Sequence, residues 1–308
     1  MGTPRFAVAS LERLYADGHD IAAVFTKSDK PRNRGMKLGA SPVKETAMAY
    51  GSQVFQPESL TDGAAFDAIR DLKCDIVAVV AYGKILPRDI LDLPPLGCIN
   101  IHASLLPKYR GAAPIQWAII NGEGETGVTS MLISEELDAG DVFFSKRISI
   151  GSSETAGELS TRLSLLGADL LSETIGALSG GKAVRIPQVH NEASYAPSLK
   201  KENSLIDWSD TALNIERKVR GLNPKPAARA DFGGTICKIF SVEISDAKHV
   251  SMKPGEVYSG GQRGLEVACA DAIMIIKEMQ APGGKRMPSS EYFRGHAIND
   301  KYECRNEK

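Results

Sequence analysis

Apolar positions in the first two thirds of the chain alternate between two patterns. Short apolar runs of strand length fall at residues 21–25, 75–80, 98–102 and 127–133, and amphipathic stretches between them, at 6–15, 42–50, 66–72 and 114–121, predict helices. That alternation is the pattern of an α/β domain, a parallel sheet wrapped by helices. A long helix over 155–178 follows, with Leu159, Leu163, Leu166, Leu170 and Leu171 keeping one face apolar, and it closes a first domain over residues 1–180.

The pattern then changes. Gly180, Gly181, Pro187 and Pro197 punctuate a stretch poor in core residues, so 181–202 reads as a linker. Beyond it, in 203–308, a helix over 212–220 precedes short alternating runs at 235–242, 264–269 and 272–279 separated by Gly and Pro, the signature of a small β-barrel. The opening residues Met1-Gly2-Thr3-Pro4 look like the turn after a strand, so an apolar strand upstream of this numbering is expected.

Composition narrows the class. The 308 residues suit two domains, and 43% hydrophobic with 24% charged residues is the balance of a soluble globular protein. No apolar run reaches the ~20 residues a membrane helix needs, and no signal peptide is visible. Five widely spaced cysteines without a CxxC pair suggest neither a disulfide framework nor a zinc site, and point to the cytoplasm. A net charge of −1 leaves nucleic-acid binding to local patches.

One such patch spans residues 27–44, where six bases (Lys27, Lys30, Arg32, Arg34, Lys37 and Lys44) meet one acid, Asp29. Lacking strand or helix periodicity, it reads as a mobile loop; on the residues alone a solvated surface loop is the commoner reading, and a phosphate-tracking element the alternative. Residues 203–308 hold 16 Lys and Arg against 14 Asp and Glu, so composition does not mark them as an RNA binder. Lys285 and Arg286, beside Gly283-Gly284, are the loop bases there that a barrel groove would use.

The densest reactive cluster is Asn100-Ile101-His102-Ala103-Ser104-Leu105-Leu106-Pro107, at the carboxyl end of an expected strand, where parallel sheets bind ligands. Alternation along the strand puts Asn100 and His102 on one face. Attack of an amine on a carbonyl builds negative charge on oxygen and positive charge on nitrogen. A carboxamide N–H serves the first and an imidazole either the first or, as base, the second. Asp138, in the turn Glu136-Leu137-Asp138-Ala139-Gly140-Asp141, is the candidate to orient and charge-balance the ring. On spacing alone these three are equally ordinary loop hydrogen-bonders and a turn residue. Ser104 has no G-x-S-x-G elbow to make it a nucleophile.

The run from Cys98 to Gln116, together with Gly127 and Asp138, resembles the folate-dependent formyltransferases, whose pattern N-x-H-x-S-L-L-P is followed some tens of residues on by an aspartate. The stretches Met1–Ala7, Gly111–Gln116 and Val219–Pro226 resemble the members of that family that act on charged tRNA, and the likeness covers nearly the whole chain. It departs at Lys225-Pro226-Ala227-Ala228, where Pro-Gly-Ala is more usual. The resemblance implies a Rossmann-like, mostly parallel sheet domain followed by an OB-like β-barrel, and Asn100, His102 and Asp138 as catalytic residues. It further implies a folate site lined by Ser104, Leu105, Leu106 and Pro107, with Ile85 and Leu86 bordering the pterin. The cosubstrate would be 10-formyltetrahydrofolate, with no metal, and the acceptor the methionine on initiator tRNA. Arg34 matches the arginine that senses an unpaired first base pair, in a loop that would order on binding. A monomer is expected. The rival acceptors are an amino sugar nucleotide, glycinamide ribonucleotide and water; the rival class is a non-catalytic tRNA-binding module.

Overall fold

The computed structural model describes residues 1–32, 37–246, 253–259 and 263–295. They form two compact units: Met1–Pro114 with Glu125–Ser149 and Ser160–Pro197, and Ile115–Gly124 with Ile150–Leu159 and the chain from Ser198 onward.

The first unit begins with helix α1 (Val8–Ala16) and strand β1 (Val24–Phe25), then β2 (Lys30–Arg32) paired antiparallel with β3 (Lys37–Gly39). Helix α2 (Pro42–Ala49) starts where Ser41 accepts a hydrogen bond from the Lys44 N–H and Pro42 takes the first helical position. There follow β4 (Val54–Phe55), α3 (Ala64–Leu72), β5 (Val77–Val79), α4 (Arg88–Leu91) and β6 (Cys98–His102). Helix α5 (Pro114–Ile120) counts almost wholly with the second unit. Strands β7 (Glu125–Leu132) and β8 (Val142–Ser149) and most of helix α6 (Ala156–Ser179) complete the first.

The sheet is parallel over most of its width, with an antiparallel edge. β1 runs parallel to β4, and β5 to β6, but β7 joins β6 antiparallel and β8 joins β7 antiparallel. Met1 and Gly2 link the two parallel pairs, since the Gly2 N–H donates to the Phe25 carbonyl at 3.0 Å and the Val80 N–H to the Met1 carbonyl at 2.9 Å. An apolar cleft of about 330 Å³, lined by Leu14, Val24, Ile69, Val77, Leu171 and Ile175 among others, lies beside that junction. Because β6 alternates, Ile99 and Ile101 are buried on one face and Asn100 and His102 project to the other. Gly167 of α6 lets the helix approach closely, since a Cβ there would stand 2.9 Å from Ile101 Cγ2. Each fully buried Ile or Leu contributes ~1.5–3 kcal/mol, and this packing fixes where β6 ends.

In the second unit, helix α7 (Ala212–Leu222) starts at Thr211, whose side chain accepts from the Asn214 N–H. Strands β9 (Ala228–Phe232), β10 (Thr235–Ile244), β11 (Val257–Ser259), β12 (Leu265–Ala268), β13 (Ile273–Gln280) and β14 (Met287–Pro288) follow, then helix α8 (Ser289–Gly295). The strands pair antiparallel in the order β11-β12-β13-β10-β9, with β14 also on β13. Among the described residues β9 and β11 do not meet, so where a barrel was expected the strands make an open sheet. Trp208, Ile215, Val219 and Leu222 pack with Ile239, Val267 and Ile276 in its core.

Cys98, Cys237 and Cys269 are buried, and burial pushes their thiols up to about 12, 11 and 12; Cys74, half-buried, is raised as well. Since the thiolate is the nucleophile, among these four described cysteines iodoacetamide at pH 8 will label Cys74 first and the other three only in denaturant, read by peptide mass spectrometry. Labelling of native Cys98 at the rate of a free thiol would contradict that burial.

Candidate active site

His102 ends β6 almost fully buried, and both ring nitrogens meet defined groups. Nε2 lies 2.9 Å from the Tyr109 carbonyl oxygen. A carbonyl only accepts, so Nε2 carries the proton and, in the neutral ring, Nδ1 keeps its lone pair. Nδ1 faces Asp138 Oδ2 at 3.7 Å. That is too long for a hydrogen bond but close enough for a carboxylate to stabilise an imidazolium. The ring is thus hydrogen-bonded by the Tyr109 backbone and not by Asp138, whose carboxylate stands beside it at 3.7 Å.

Both neighbours of the ring are held in sparsely populated conformations. Tyr109 has φ 60° and Asp138 φ 50°, each costing ~1–3 kcal/mol when the surroundings enforce it. The Gly111 N–H donates to Asp138 Oδ2 at 2.8 Å and fixes the carboxylate. Gly111 itself has φ 117°, and a Cβ on it would stand 2.8 Å from the Ala196 carbonyl oxygen, so the position requires glycine. Asn100, half-buried two residues before His102, has no hydrogen bond from its carboxamide among the described residues, which leaves its NH₂ free to donate to a ligand. The structure thus sets a free amide donor and an imidazole with an open lone pair on one strand face, and a carboxylate beside the ring.

A family model described as formyl transferase matches residues 1–175, and one described as formyl transferase, C-terminal domain, matches 198–297. The chain belongs to the formyl transferase family. This formyl transferase is 46% identical over 298 residues to the methionyl-tRNA formyltransferase of Alkaliphilus oremlandii, covering 97% of this chain and 96% of that one. It is 45% identical over 295 residues to the protein of that name from Pelotomaculum thermopropionicum, covering 96% and 94%. Among solved structures, the Helicobacter canadensis N-formyltransferase in complex with folinic acid and dTDP-3-aminofucose matches with a TM-score of 0.68 at 19% identity, over 89% of this chain and 96% of that one. HypX of Aquifex aeolicus in complex with tetrahydrofolic acid matches with a TM-score of 0.61 at 21% identity, over 81% of this chain and 43% of HypX. Those two likenesses carry the fold alone.

The remaining expected site residues of the formyl transferase fall in several places. Ser104 is buried with its hydroxyl donating to the Lys108 carbonyl at 2.6 Å, and the Leu106 N–H donates to Thr129 Oγ1 at 3.1 Å. Leu105 and Pro107 are half-buried. Ile85 is 86% exposed, whereas Leu86 is packed into the core with Tyr82 and Ile90. Lys30 is exposed on β2; Arg32 and Lys37 lie on β2 and β3, and Arg34 falls outside the described residues. The loop read as lacking strand periodicity therefore carries a short antiparallel pair. Lys285 is exposed; Arg286 pairs with Glu278 and stacks over Phe240 at 4.5 Å. No group of three or more His, Cys, Asp or Glu that could hold a metal occurs among the described residues, and no helix there is long and apolar enough to cross a membrane.

Sequence reasoning missed the segment that laces this site together. The Arg110 N–H donates to the Ser194 carbonyl at 2.8 Å, the Ala196 N–H to the Arg110 carbonyl at 2.7 Å, and the Tyr109 N–H to Ser194 Oγ at 2.9 Å. Nothing in its Gly- and Pro-punctuated composition announces that pairing. Gly127 shows how tightly the site packs, since a Cβ there would lie 2.1 Å from the Lys146 carbonyl oxygen and 2.5 Å from Leu105 Cδ2. Gly127→Ala is expected to cost ~1–3 kcal/mol in urea unfolding, as overpacked sites do. A midpoint unchanged from the parent would show that the strand yields freely.

Proposed function

We propose that this formyl transferase moves the formyl group of 10-formyltetrahydrofolate to the α-amino group of methionine on initiator tRNA. The observation that carries the reading is the likeness to methionyl-tRNA formyltransferases at 46% identity across 97% of the chain, which includes both units. The unpartnered Asn100 amide and the open His102 nitrogen fit a formamide carbonyl and the amine approaching it.

The folate supplies a formyl group on an aryl amine nitrogen, from which an incoming amine can displace it. Asn100 donates to the formyl oxygen as negative charge develops there. His102 accepts the proton released by the attacking amine at Nδ1, while Nε2 stays donated to the Tyr109 carbonyl, and gives it to the folate N10 as the N10–formyl bond breaks, leaving tetrahydrofolate and a neutral imidazole. Asp138 stabilises the resulting imidazolium across 3.7 Å. Ser104, Leu105, Leu106 and Pro107 form the wall beside the folate, and exposed Ile85, with Leu86 behind it, borders the pterin.

The tRNA is assigned to the basic loop, with Arg34 at the first base pair and Lys30, Arg32 and Lys37 on phosphates. The catalytic part is taken as residues 1–180, joined through 181–202 to 203–308, whose open antiparallel sheet is read as OB-like with Lys285 and Arg286 toward the RNA. Arg286, already paired with Glu278, contributes less there than Lys285. The enzyme is read as a cytoplasmic monomer.

Formylation of methionyl-tRNA by the purified chain with 10-formyltetrahydrofolate tests this. Asn100→Ala should lower kcat ~10²–10³-fold with little change in KM. Arg34→Ala should leave kcat nearly intact and narrow the preference for initiator over elongator methionyl-tRNA. Formylation of an amino sugar nucleotide but not of methionyl-tRNA would overturn the acceptor, and full activity of Asn100→Ala would overturn the oxyanion assignment.

A further inference from the structure

Arg110 is 1% exposed, one of the largest fully buried side chains in the protein, and what surrounds it does not look chosen for stability. Burying a guanidinium costs several kcal/mol unless it is well paired. Here the nearest carboxylate, Glu136, stands 3.4 Å from Nη1 and is itself exposed. His190 Nδ1 lies 3.3 Å from Nη2. The shorter contacts go to a neutral amide: Nε and Nη2 donate to Gln188 Oε1 at 3.2 and 2.8 Å.

The other end of that amide is equally determined. Gln188 Nε2 donates to the Asp138 carbonyl at 2.9 Å and the Gly140 carbonyl at 2.8 Å. Arginine only donates and carbonyls only accept, so the amide can face one way only, with its oxygen and both of its N–H groups engaged. The result is a clamp with two jaws from adjacent residues. Through Gln188, the Arg110 side chain grips the backbone of the turn at Asp138, while the Gly111 N–H grips the Asp138 carboxylate at 2.8 Å. Between the jaws, Asp138 is held at φ 50°, with Oδ2 3.7 Å from His102 Nδ1.

We propose that Gln188, locked by the buried Arg110, is a positioning residue for formyl transfer that acts by holding Asp138 against His102. The inference rests on the catalytic reading of Asp138. A carboxylate at position 188 would pair better with Arg110 but would present oxygen to two carbonyl oxygens, which accounts for an amide in a place where charge balance favours an acid.

Gln188→Glu and Gln188→Leu in the full chain test it, each with and without Asp138→Ala, by kcat and by KM for both substrates, with thermal melts as a check on folding. Gln188→Glu keeps the acceptor for Arg110 and should melt near the parent, yet lose up to ~10²-fold in kcat, as misplacement of a reacting group by about 1 Å can cost, with both KM values nearly unchanged. In the Asp138→Ala background the same change should cost little more, because its effect passes through the missing carboxylate. Equal losses in both backgrounds, a change confined to KM, an undiminished kcat, or failure of both variants to fold would each overturn the proposal. If Asp138→Ala alone keeps the parent kcat, the catalytic reading of Asp138 has failed instead.

Discussion

The hydrogen bond from His102 Nε2 to the Tyr109 carbonyl sets the terms for everything else at this site. It removes the choice of tautomer in the neutral ring, so the lone pair lies at Nδ1, the nitrogen that Asp138 Oδ2 faces at 3.7 Å. Backbone strain sits at both groups that face the ring, at Tyr109, which brings a carbonyl to one nitrogen, and at Asp138, which brings a carboxylate to the other. Strain of this kind persists only where neighbours over-determine it. Here the neighbours are Gly111, Ser194 and Gln188.

Sheet topology supplies the platform. Antiparallel β7 pairs His102 with Thr129, and Thr129 Oγ1 reaches back to the Ser104 carbonyl while accepting from the Leu106 N–H. One hydroxyl on the neighbouring strand thus ties down the loop that leaves β6. Gly127, two residues earlier on β7, leaves room for Leu105. The loop from Ser104 to Pro107 is therefore braced from below by a strand that runs against the direction of the first half of the sheet.

Much of this was legible in the letters, and for physical reasons. β6 announces itself because Ile99 and Ile101 alternate with polar side chains, and α6 because its leucines recur on one face. β8 escaped notice because it is the outer strand, with Lys146 and Arg147 among its side chains, so only part of it is buried. β1 and β4, two residues each, leave too little pattern to delimit. Asn100, His102 and Asp138 stood out as reactive types in a recognisable order. Arg110 and Gln188 did not, because they are 78 residues apart and what they do depends on a closure that no local pattern encodes.

The lacing of Tyr109, Arg110 and Ala113 onto Ser194 and Ala196 also bears on biosynthesis. A ribosome delivers the His102 loop some ninety residues before the segment that completes it. At ~5–20 residues per second the nascent enzyme spends on the order of 5–20 s with its core forming and its reactive centre slack. The last ties on that loop therefore arrive late, from a stretch of chain remote in sequence, and a polypeptide cut short before Ser194 would lack all of them.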